Sequence, residues 1–268
     1  MKASNFDLSA YFKRIGIEGM APRADIETVG TLMRRQLFSV PFENLDVQAG
    51  KGVSLVPEDI AQKILFEGRG GYCYEVNGLF AMALEAIGVA YRFVAARPMF
   101  YPVRRPRTHM VIVATIEGVP WLCDLGFGSC GIRAPLRLDR LDIAVQQDDD
   151  VFMVTREANG EFVLEARLDG EWVKQYGFDL SPQEWIDFHP ANYLNSTHPE
   201  AIFVQKTVVV LHRPTGRSIL LGDRLKTIEG GRIEVQTIAP DRHAATLAEV
   251  FGLRPQAGHR RDASCSRR

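Results

Sequence analysis

The stretch Arg69-Gly70-Gly71-Tyr72-Cys73-Tyr74-Glu75 places two glycines and a cysteine at the start of an apolar helical pattern. From Cys73 to Ile87, apolar residues recur so that they cover most of one side of a helix, which predicts a well buried helix beginning at the cysteine. The first turn of a helix presents free N–H groups and the positive end of its dipole. We therefore predict that the pKa of this thiol is lowered and that the N–H groups can hold an oxyanion. The alternative interpretation is a buried, inert core cysteine.

A nucleophilic cysteine requires a base, and His109 is the candidate among the six histidines. His109 opens a predicted strand directly after a loop, a position that can place its imidazole at a junction between domains. The strands Met110–Ile116 and Val119–Leu125 are separated by a turn at Glu117-Gly118. This hairpin brings residue 109 back opposite residue 125 or 126. For any single histidine, His109 included, the sequence alone favours a structural role.

Asp124 is the candidate group that orients this base. It lies inside an apolar strand, where a carboxylate needs a partner because burying an unpaired charge is costly. The hairpin register makes His109 and Asp124 neighbours, although a shift of one residue would turn the side chains to the other face. Strand alternation places Cys123 on the opposite face from Asp124, so Cys123 is a poor candidate for the site.

The order of elements around this stretch is helical, then β, then mixed, which predicts the α+β fold class. Helical spacing and cap residues predict four N-terminal helices, at Leu8–Ile15, Asp25–Leu37, Pro57–Gly68 and Cys73–Ile87. Short β-rich segments separated by turns predict an antiparallel barrel or sheet, at Arg92–Ala96, Met110–Ile116, Val119–Leu125, Val151–Arg156, Phe162–Leu168 and Trp172–Phe178. The helical part is predicted to end near residue 88 and the β part near residue 190.

The last part of the chain mixes both kinds of element. A capping-box pattern, with Glu184 three residues after Ser181, predicts a short helix at Ser181–Phe188. Four strands and a final helix are then predicted, at Phe203–His212, Ser218–Leu221, Leu225–Ile228, Arg232–Ile238 and Asp241–Phe251. His189 and His198 lie beside prolines and are predicted to be surface histidines in turns.

Length and composition indicate a globular protein rather than a disordered or fibrous one. The chain has 268 residues, of which 46% are hydrophobic and 24% charged, and its formal net charge is -1. Because general nucleic-acid binders usually carry a basic excess, we expect no nucleic-acid partner. No apolar run reaches membrane-spanning length and the first residues lack a signal-peptide pattern, so we expect a cytoplasmic protein without a membrane partner. None of the four cysteines forms a CxxC pair, and we expect thiols rather than disulfides.

Several short segments together resemble the arylamine N-acetyltransferase family. Each segment is short, but their order and spacing along the chain are specific. The resembling segments are Val40–Leu45, with its Pro-Phe-Glu-Asn core, the cysteine motif Arg69–Asn77, the histidine strand start Thr108–Met110, the aspartate and its glycine loop Asp124–Gly128, and Ser196–Pro199. The arginine-rich tail, residues 254–268, matches no family segment; we expect it to be a basic, flexible end.

The resemblance implies a cysteine-protease-like architecture with its site where the first two domains meet. The implied domains are an N-terminal helical bundle over residues 1–88, an antiparallel β-barrel over 89–190 and a C-terminal α/β lid over 191–253. Carried onto this sequence, the family pattern makes Cys73 the nucleophile, His109 its base and Asp124 the orienting carboxylate.

The implied activity is acetyl transfer from acetyl-CoA to the nitrogen of an arylamine, arylhydrazine or hydrazide, through an acetyl-cysteine and without a metal. Because an acetyl-cysteine is itself a thioester, the acetyl group stays activated between the two half-reactions. The family pattern assigns Phe42, Phe127 and Phe203 to the acceptor pocket, where aromatic walls suit a flat arylamine. Candidate contacts to CoA are Thr108, Gly126 and Gly128. Arg69 and Glu43 are expected to pair structurally beside the site.

Other functions use the same residue types. Cysteine peptidases and transglutaminases also combine Cys, His and Asp, with the cysteine on a helix. A related amide synthase that closes a macrolactam would share nearly every segment. A non-enzymatic binding protein and a zinc site built from Cys, His and Asp are further alternatives, and the filled triad positions argue against the binding protein.

Overall fold

The computed structural model describes residues 1–253, so the predicted basic tail lies outside the described residues. The α-helices, numbered in chain order, are α1 Leu8–Ile15, α2 Ile26–Ser39, α3 Leu45–Gln48, α4 Pro57–Ala61, α5 Cys73–Ala86, α6 His189–Thr197, α7 Ile202–Gln205 and α8 His243–Phe251. The strands are β1 Phe42–Glu43, β2 Ala90–Pro98, β3 His109–Ile116, β4 Val119–Cys123, β5 Leu136–Arg137, β6 Val145–Gln147, β7 Asp150–Arg156, β8 Phe162–Leu168, β9 Glu171–Phe178, β10 Val208–Arg213, β11 Gly216–Leu221, β12 Arg224–Glu229 and β13 Arg232–Thr237.

An aspartate side chain caps each of the first two helices. Asp7 Oδ2 accepts the Ala10 N–H, and Asp25 Oδ1 accepts the Thr28 N–H, each over 2.8 Å. A capping carboxylate satisfies an N–H group that has no partner within its helix. The helix predicted from Pro57 to Gly68 is α-helical only to Ala61 and continues as a π-helical turn over Gln62–Phe66. The predicted α-helix is therefore wrong beyond Ala61.

The large sheet is antiparallel and has eight strands in the order β5-β4-β3-β2-β9-β8-β7-β6. Within residues 1–253 its two end strands, β5 and β6, do not pair with each other, so the predicted barrel is an open sheet of half-barrel type. The β3-β4 hairpin pairs Ile112 with Cys123, and the same register extended by three residues sets His109 opposite Gly126. The α+β fold class predicted from the sequence is confirmed.

A second, five-stranded sheet has the order β1-β10-β11-β12-β13. Its first strand comes from the helical part of the chain, since Phe42 pairs with Val210, and Phe42 also forms a parallel bridge with Gly71. The cysteine turn and the small sheet are therefore joined through β1. The domain boundaries at residues 88, 190 and 253 stay predictions.

Two C-terminal predictions are wrong in detail. The strand predicted at Phe203–His212 begins only at Val208, because α7 comes first. Asn44 determines this change: its Nδ2 donates to the carbonyls of Phe203 and Lys206 over 2.7 and 2.8 Å, and its Oδ1 accepts the Val208 N–H. A side chain from a distant part of the sequence thus holds residues 203–208 in a helical turn followed by a strand.

The helix predicted at Ser181–Phe188 is also shorter than expected. The Gln183 N–H donates to the Phe93 carbonyl over 2.9 Å in an antiparallel bridge, which keeps this part of the chain extended. A 3₁₀ turn starts at Trp185 instead, where Asp187 Oδ2 accepts the Glu184 N–H. His189 is the first residue of α6 rather than part of a turn, and it is exposed as predicted.

Most of the core is one continuous cluster between the N-terminal helices and the large sheet. Helix α5 lies deepest in it, because twelve of its fourteen residues are buried. A smaller cluster joins the small sheet to α8 through Val209, Leu220, Leu225, Leu247 and Phe251. None of the helices formed by residues 1–253 combines the length and apolarity needed to cross a membrane.

Candidate active site

Cys73 is the first residue of α5, and its side chain is buried, with 3% of the residue exposed. Tyr72 precedes the helix in an extended conformation, and its N–H donates to Glu75 Oε2 over 3.0 Å. The predicted start of a buried helix at the cysteine is confirmed. The thiol therefore lies at the N-terminal end of the helix, where backbone N–H groups are available to a ligand.

His109 and Asp124 form a buried pair. His109 Nε2 lies 2.8 Å from Asp124 Oδ2, and the two residues are 4% and 1% exposed. If His109 Nε2–H donates this hydrogen bond to the carboxylate, Nδ1 is left as the ring nitrogen that can accept a proton. The predicted neighbours His109 and Asp124 are therefore brought into direct contact.

Asn77 ties this pair to the cysteine helix. It lies one helical turn after Cys73, and its Nδ2 donates to Asp124 Oδ1 over 3.1 Å and to the Met110 carbonyl over 2.8 Å. Its Oδ1 accepts the Leu125 N–H over 2.9 Å. The Asn77 amide thus binds the start of β3 and the residues that directly follow β4, so Asp124 lies just beyond the strand predicted to contain it.

The predicted lowering of the thiol pKa is wrong for the free site. Burial raises the pKa of the Cys73 thiol, and the negative charge of Asp124 raises it further, whereas hydrogen bonding to the Tyr74 and Met110 backbone acts in the opposite direction. The helix terminus alone does not outweigh desolvation of the thiolate. A reactive thiolate at this buried position therefore needs a stabilising partner beyond the helix terminus.

Aromatic rings surround the imidazole. The rings of Phe127 and Tyr176 have their centroids 5.2 and 5.1 Å from that of His109, and 5.0 Å from each other. Phe100, which is 41% exposed, packs on Phe127 at 5.6 Å. Burial raises the pKa of Tyr176 well above its usual range, and the Asp124 carboxylate raises it further, so its phenol stays neutral beside the pair.

The remaining predicted pocket residues form a second aromatic group. The centroid of Phe203 is 5.8 Å from that of Phe42 and 5.7 Å from that of Tyr72. Phe42 is buried, whereas Phe203 on α7 is half-buried. The structure therefore brings Phe42 and Phe203 together next to the residue that precedes Cys73, while Phe127 contacts His109.

The residues predicted to contact CoA lie around the cysteine and the histidine. The Thr108 carbonyl accepts the Tyr74 hydroxyl over 2.8 Å and Asn195 Nδ2 over 2.9 Å. The Gly126 N–H donates to Asp124 Oδ1 over 2.9 Å. A Cβ atom at Gly126 would lie 2.6 Å from Cys73 Cα, so only glycine allows this approach.

Gly128, the third of these residues, lies against the ring of Phe42.

The predicted structural pair beside the site is present, with Arg69 Nη2 2.8 Å from Glu43 Oε1. Across residues 1–253, no group of three or more His, Cys, Asp or Glu side chains is arranged to hold a metal ion. All nine predicted site residues thus lie on the segments that meet around Cys73.

Sequence reasoning missed the roles of Asn77, Tyr176 and Asn195. Asn77 is part of the motif that follows the cysteine, and its position one turn after Cys73 was the available signal. Tyr176 and Asn195 lie on β9 and α6, far along the chain from the residues they contact. No local pattern marks them, because only the assembled sheet and α6 bring them to the site.

Comparison with known proteins gives a consistent family. A family model described as N-acetyltransferase matches residues 25–259. The arylamine N-acetyltransferase / N-hydroxyarylamine O-acetyltransferase of Salmonella typhimurium is 32% identical over 251 residues, covering 92% of this chain and 88% of the relative. The arylamine N-acetyltransferase of Mycobacterium tuberculosis is 33% identical over 257 residues, covering 92% and 89%.

Solved structures agree with these sequence matches. The arylamine N-acetyltransferase from Salmonella typhimurium superimposes with a TM-score of 0.87 at 29% identity, covering 93% of this chain and 92% of that one. The Mycobacterium marinum arylamine N-acetyltransferase in complex with CoA superimposes with a TM-score of 0.86 at 29% identity, covering 92% of both chains. With the sequence relatives above 30% identity over nearly the whole chain, this protein belongs to the arylamine N-acetyltransferase family of acyltransferase enzymes.

Proposed function

We propose that this enzyme transfers an acetyl group from acetyl-CoA to the nitrogen of an arylamine, arylhydrazine or hydrazide by a ping-pong mechanism through acetylated Cys73. The observation that carries the proposal is the buried His109–Asp124 pair, held by Asn77 from the helix that begins at Cys73. A buried thiol needs such a pair, because its thiolate is stabilised only when an imidazolium forms with it.

In the first half-reaction, His109 Nδ1 takes the proton from the Cys73 thiol. The thiolate attacks the carbonyl carbon of acetyl-CoA, and an S–C bond forms as the tetrahedral oxyanion develops. N–H groups at the start of α5 are the nearest candidates to stabilise that charge. The intermediate expels the CoA thiolate, which takes the proton from His109 and leaves as free CoA.

In the second half-reaction, the amine nitrogen attacks the carbonyl carbon of acetyl-Cys73. His109 accepts the proton that the nitrogen loses, and the Cys73 thiolate leaves as the amide forms. The thiolate and the imidazolium are then a charge pair again, and the enzyme is ready for another acetyl group. The Asp124 carboxylate orients the imidazole and stabilises the imidazolium in both half-reactions.

We assign the acceptor to the space beside Phe42, Phe127 and Phe203, whose rings offer flat apolar contacts. Thr108, Gly126 and Gly128 remain the proposed contacts of CoA, and the relative from Mycobacterium marinum binds CoA. A free thiol nucleophile requires reducing conditions, which agrees with the cytoplasmic location predicted from the sequence.

The proposal is tested by incubating the purified protein with acetyl-CoA and no acceptor, and then measuring its intact mass and mapping the modified peptide. We expect one acetyl group on Cys73 that an added arylamine removes as the N-acetylated product. Cys123→Ala is the matched control, because Cys123 is also buried and burial also raises the pKa of its thiol. Strand alternation places Cys123 on the opposite face of the hairpin from His109. This variant should be acetylated like the wild type, and Cys73→Ala should not.

The opposite result separates this proposal from its alternatives. A folded protein whose Cys73 reacts with iodoacetamide but takes no acetyl group from acetyl-CoA would contradict the proposed donor. An acetylated Cys73 that small arylamines fail to discharge would contradict the proposed acceptor and favour an amide synthase with a bound substrate.

A further inference from the structure

A buried group of charges lies directly behind the cysteine turn. Lys63 Nζ is 2.6 Å from Asp46 Oδ2, 2.7 Å from Glu75 Oε1 and 3.8 Å from Glu43 Oε1. Arg69 Nη2 is 2.8 Å from Glu43 Oε1 and 3.3 Å from Asp46 Oδ2. These five residues, which we call the Lys63 network, therefore combine three carboxylates with two cations. Lys63 is the member that contacts all three carboxylates.

The backbone geometry places Lys63 there. Lys63 lies in the π-helical turn Gln62–Phe66, which interrupts the helix that began at Pro57. Such turns are rare, and they frequently occur at functional sites. The ammonium is enclosed, since only 13% of the Lys63 side chain is exposed.

Glu75 connects this network to Cys73. One carboxylate oxygen, Oε1, accepts a hydrogen bond from the Lys63 ammonium. The other, Oε2, accepts a hydrogen bond from the N–H of Tyr72, the residue directly before the cysteine. Glu75 also packs closely against Gly71, since a Cβ atom at Gly71 would lie 2.5 Å from Glu75 Cβ. The Glu75 side chain thus fixes the two residues that lead into Cys73.

The charge of Glu75 depends on its surroundings. The pKa of Glu75 is raised to about 7, because burial and the charge of Glu43 raise it more than Lys63 and the Tyr72 N–H lower it. Burial alone would lower the pKa of the Lys63 ammonium, but the charges of Glu75, Glu43 and Asp46 raise it above its usual range. Lys63 therefore stays charged at neutral pH, and it is the cation that favours the ionised form of Glu75.

Protons can reach this network from the surface. Asp46, Lys63, Arg69 and Glu75 line a polar cavity of about 320 Å³ together with more exposed residues such as Ser54 and Glu67. The Glu75 carboxylate, one of the groups on this wall, can therefore exchange its proton without passing the cysteine.

We propose that Lys63 is a positioning residue for Cys73: its ammonium keeps Glu75 ionised, and ionised Glu75 holds the Tyr72–Cys73 turn in the geometry in which the thiol reacts. The inference rests on the proposed function in that Cys73 is taken as the nucleophile. It adds a pH-dependent element to the site, because protonation of Glu75 removes the charge that strengthens its hydrogen bond to the Tyr72 N–H.

The test compares Lys63→Met with Lys63→Arg. The readout is the rate at which iodoacetamide alkylates Cys73 between pH 5.5 and 9, with the product mapped to the Cys73 peptide. Without the ammonium, Glu75 needs a higher pH to ionise, so we expect the acidic limb of the Lys63→Met profile to move up by about one pH unit or more, which is roughly a tenfold lower rate at pH 7. Lys63→Arg should keep the wild-type midpoint.

Lys174→Met is the control, since Lys174 pairs with Glu157 on the surface of the large sheet. It should leave the profile unchanged. A Lys63→Met profile that is uniformly lower but has the wild-type midpoint would show a purely structural role and overturn the proposal. So would a Lys63→Arg profile displaced as far as that of Lys63→Met.

Glu75→Gln keeps the proposal testable where Lys63→Met does not fold. An amide accepts the Tyr72 N–H but does not titrate near neutral pH, so the acidic limb that belongs to Glu75 should disappear. An unchanged limb in Glu75→Gln would overturn the proposal. Alkylation needs no acetyl-CoA, so a protein that fails to acetylate Cys73 would contradict the proposed function while leaving this test intact.

Discussion

Asn77 Nδ2 donates a hydrogen bond to Asp124 Oδ1 over 3.1 Å, and Asn77 lies one turn after Cys73 on the same helix. The nucleophile candidate and the support of the orienting carboxylate are therefore parts of one rigid element. Any displacement of α5 relative to the β3-β4 hairpin changes the position of Cys73 and the bonds to Asp124 together. This coupling explains why an amide is placed in an otherwise apolar helix core, where an unpaired polar group would be costly.

Asn77→Ala is expected to slow acetylation of Cys73 by about tenfold to a hundredfold, because Asp124 loses a donor and the Met110 carbonyl and Leu125 N–H lose their partner. Single-turnover acetylation by acetyl-CoA measures the rate, and thermal unfolding measures stability. Asn192→Ala is the matched control: Asn192 is also buried, but its amide donates to the Val53 carbonyl over 2.9 Å, away from the triad. Equal losses of rate in the two variants would contradict a specific role for Asn77.

The helix start at Cys73 and the His109–Asp124 contact were predictable from sequence because both obey short-range rules. Cys73 follows two glycines and opens a helix, and a two-residue turn fixes which strand residues of the β3-β4 hairpin face each other. These rules depend on at most a few neighbouring residues, so the sequence determines them. The pair His109 and Asp124 follows from counting along that hairpin.

The missed features depend on contacts between distant parts of the chain. Asn44 converts the expected start of a strand at Phe203 into a helical turn, and the two residues are separated by 159 positions. The prediction of a lowered thiol pKa was wrong for a related reason. The helix terminus is visible in the sequence, but the burial of the thiol, which outweighs it, is not. Propensity and periodicity describe a segment alone. Where they conflict with tertiary contacts, the tertiary contacts determine the conformation.

Gly126→Ala is expected to abolish most acetylation while the protein still folds. The new methyl group would lie 2.6 Å from Cys73 Cα and 3.0 Å from Cys73 Cβ, so the loop or the cysteine must shift. A displacement near 1 Å at reacting groups can cost about a hundredfold in rate. Intact-mass analysis after incubation with acetyl-CoA measures the effect.

The control for this substitution is Gly30→Ala. Gly30 lies inside α2, and an added Cβ would meet only Pro135 Cδ, at an ordinary 3.8 Å. Because alanine favours a helix over glycine by about 1 kcal/mol, this variant should be fully active and slightly more stable. A Gly126→Ala enzyme with wild-type acetylation would show that the Cys73 backbone tolerates the shift.

The buried imidazole of His212 should make the stability of the fold depend on pH. Burial, together with the charges of Arg217 and Arg133, lowers the pKa of His212 to about 3. The unfolded chain, in which a histidine has a pKa of about 6.5, binds the proton more readily than the folded one. Stability from the neutral imidazole is therefore present above about pH 6.5 and is lost as the pH falls towards 3, by at most about 1.4 kcal/mol per pH unit.

His212→Gln should consequently lose less stability than the wild type between pH 7 and pH 5. Urea unfolding at a series of pH values gives the free energy of unfolding for both proteins. His189→Gln is the control, because His189 is exposed on α6 and should leave the wild-type slope unchanged. Parallel curves for His212→Gln and the wild type would contradict the argument.

Phe203→Ala separates the acceptor site from the acetylation step. Phe203 contacts Phe42 and Tyr72 and is half-buried on α7, so its ring can form one wall of the acceptor pocket without covering the thiol. Losing one aromatic contact of about 1.5 kcal/mol should raise the KM for an arylamine roughly tenfold. In a ping-pong reaction the first half-reaction can be measured alone, and the rate of Cys73 acetylation should stay within about twofold of the wild type.

The control is Tyr193→Ala, which removes a ring that is 71% exposed on α6 and should change neither the KM for the arylamine nor the rate of Cys73 acetylation. An unchanged KM with slower acetylation would place Phe203 on the donor side of the site, because its ring would then contact acetyl-CoA rather than the amine.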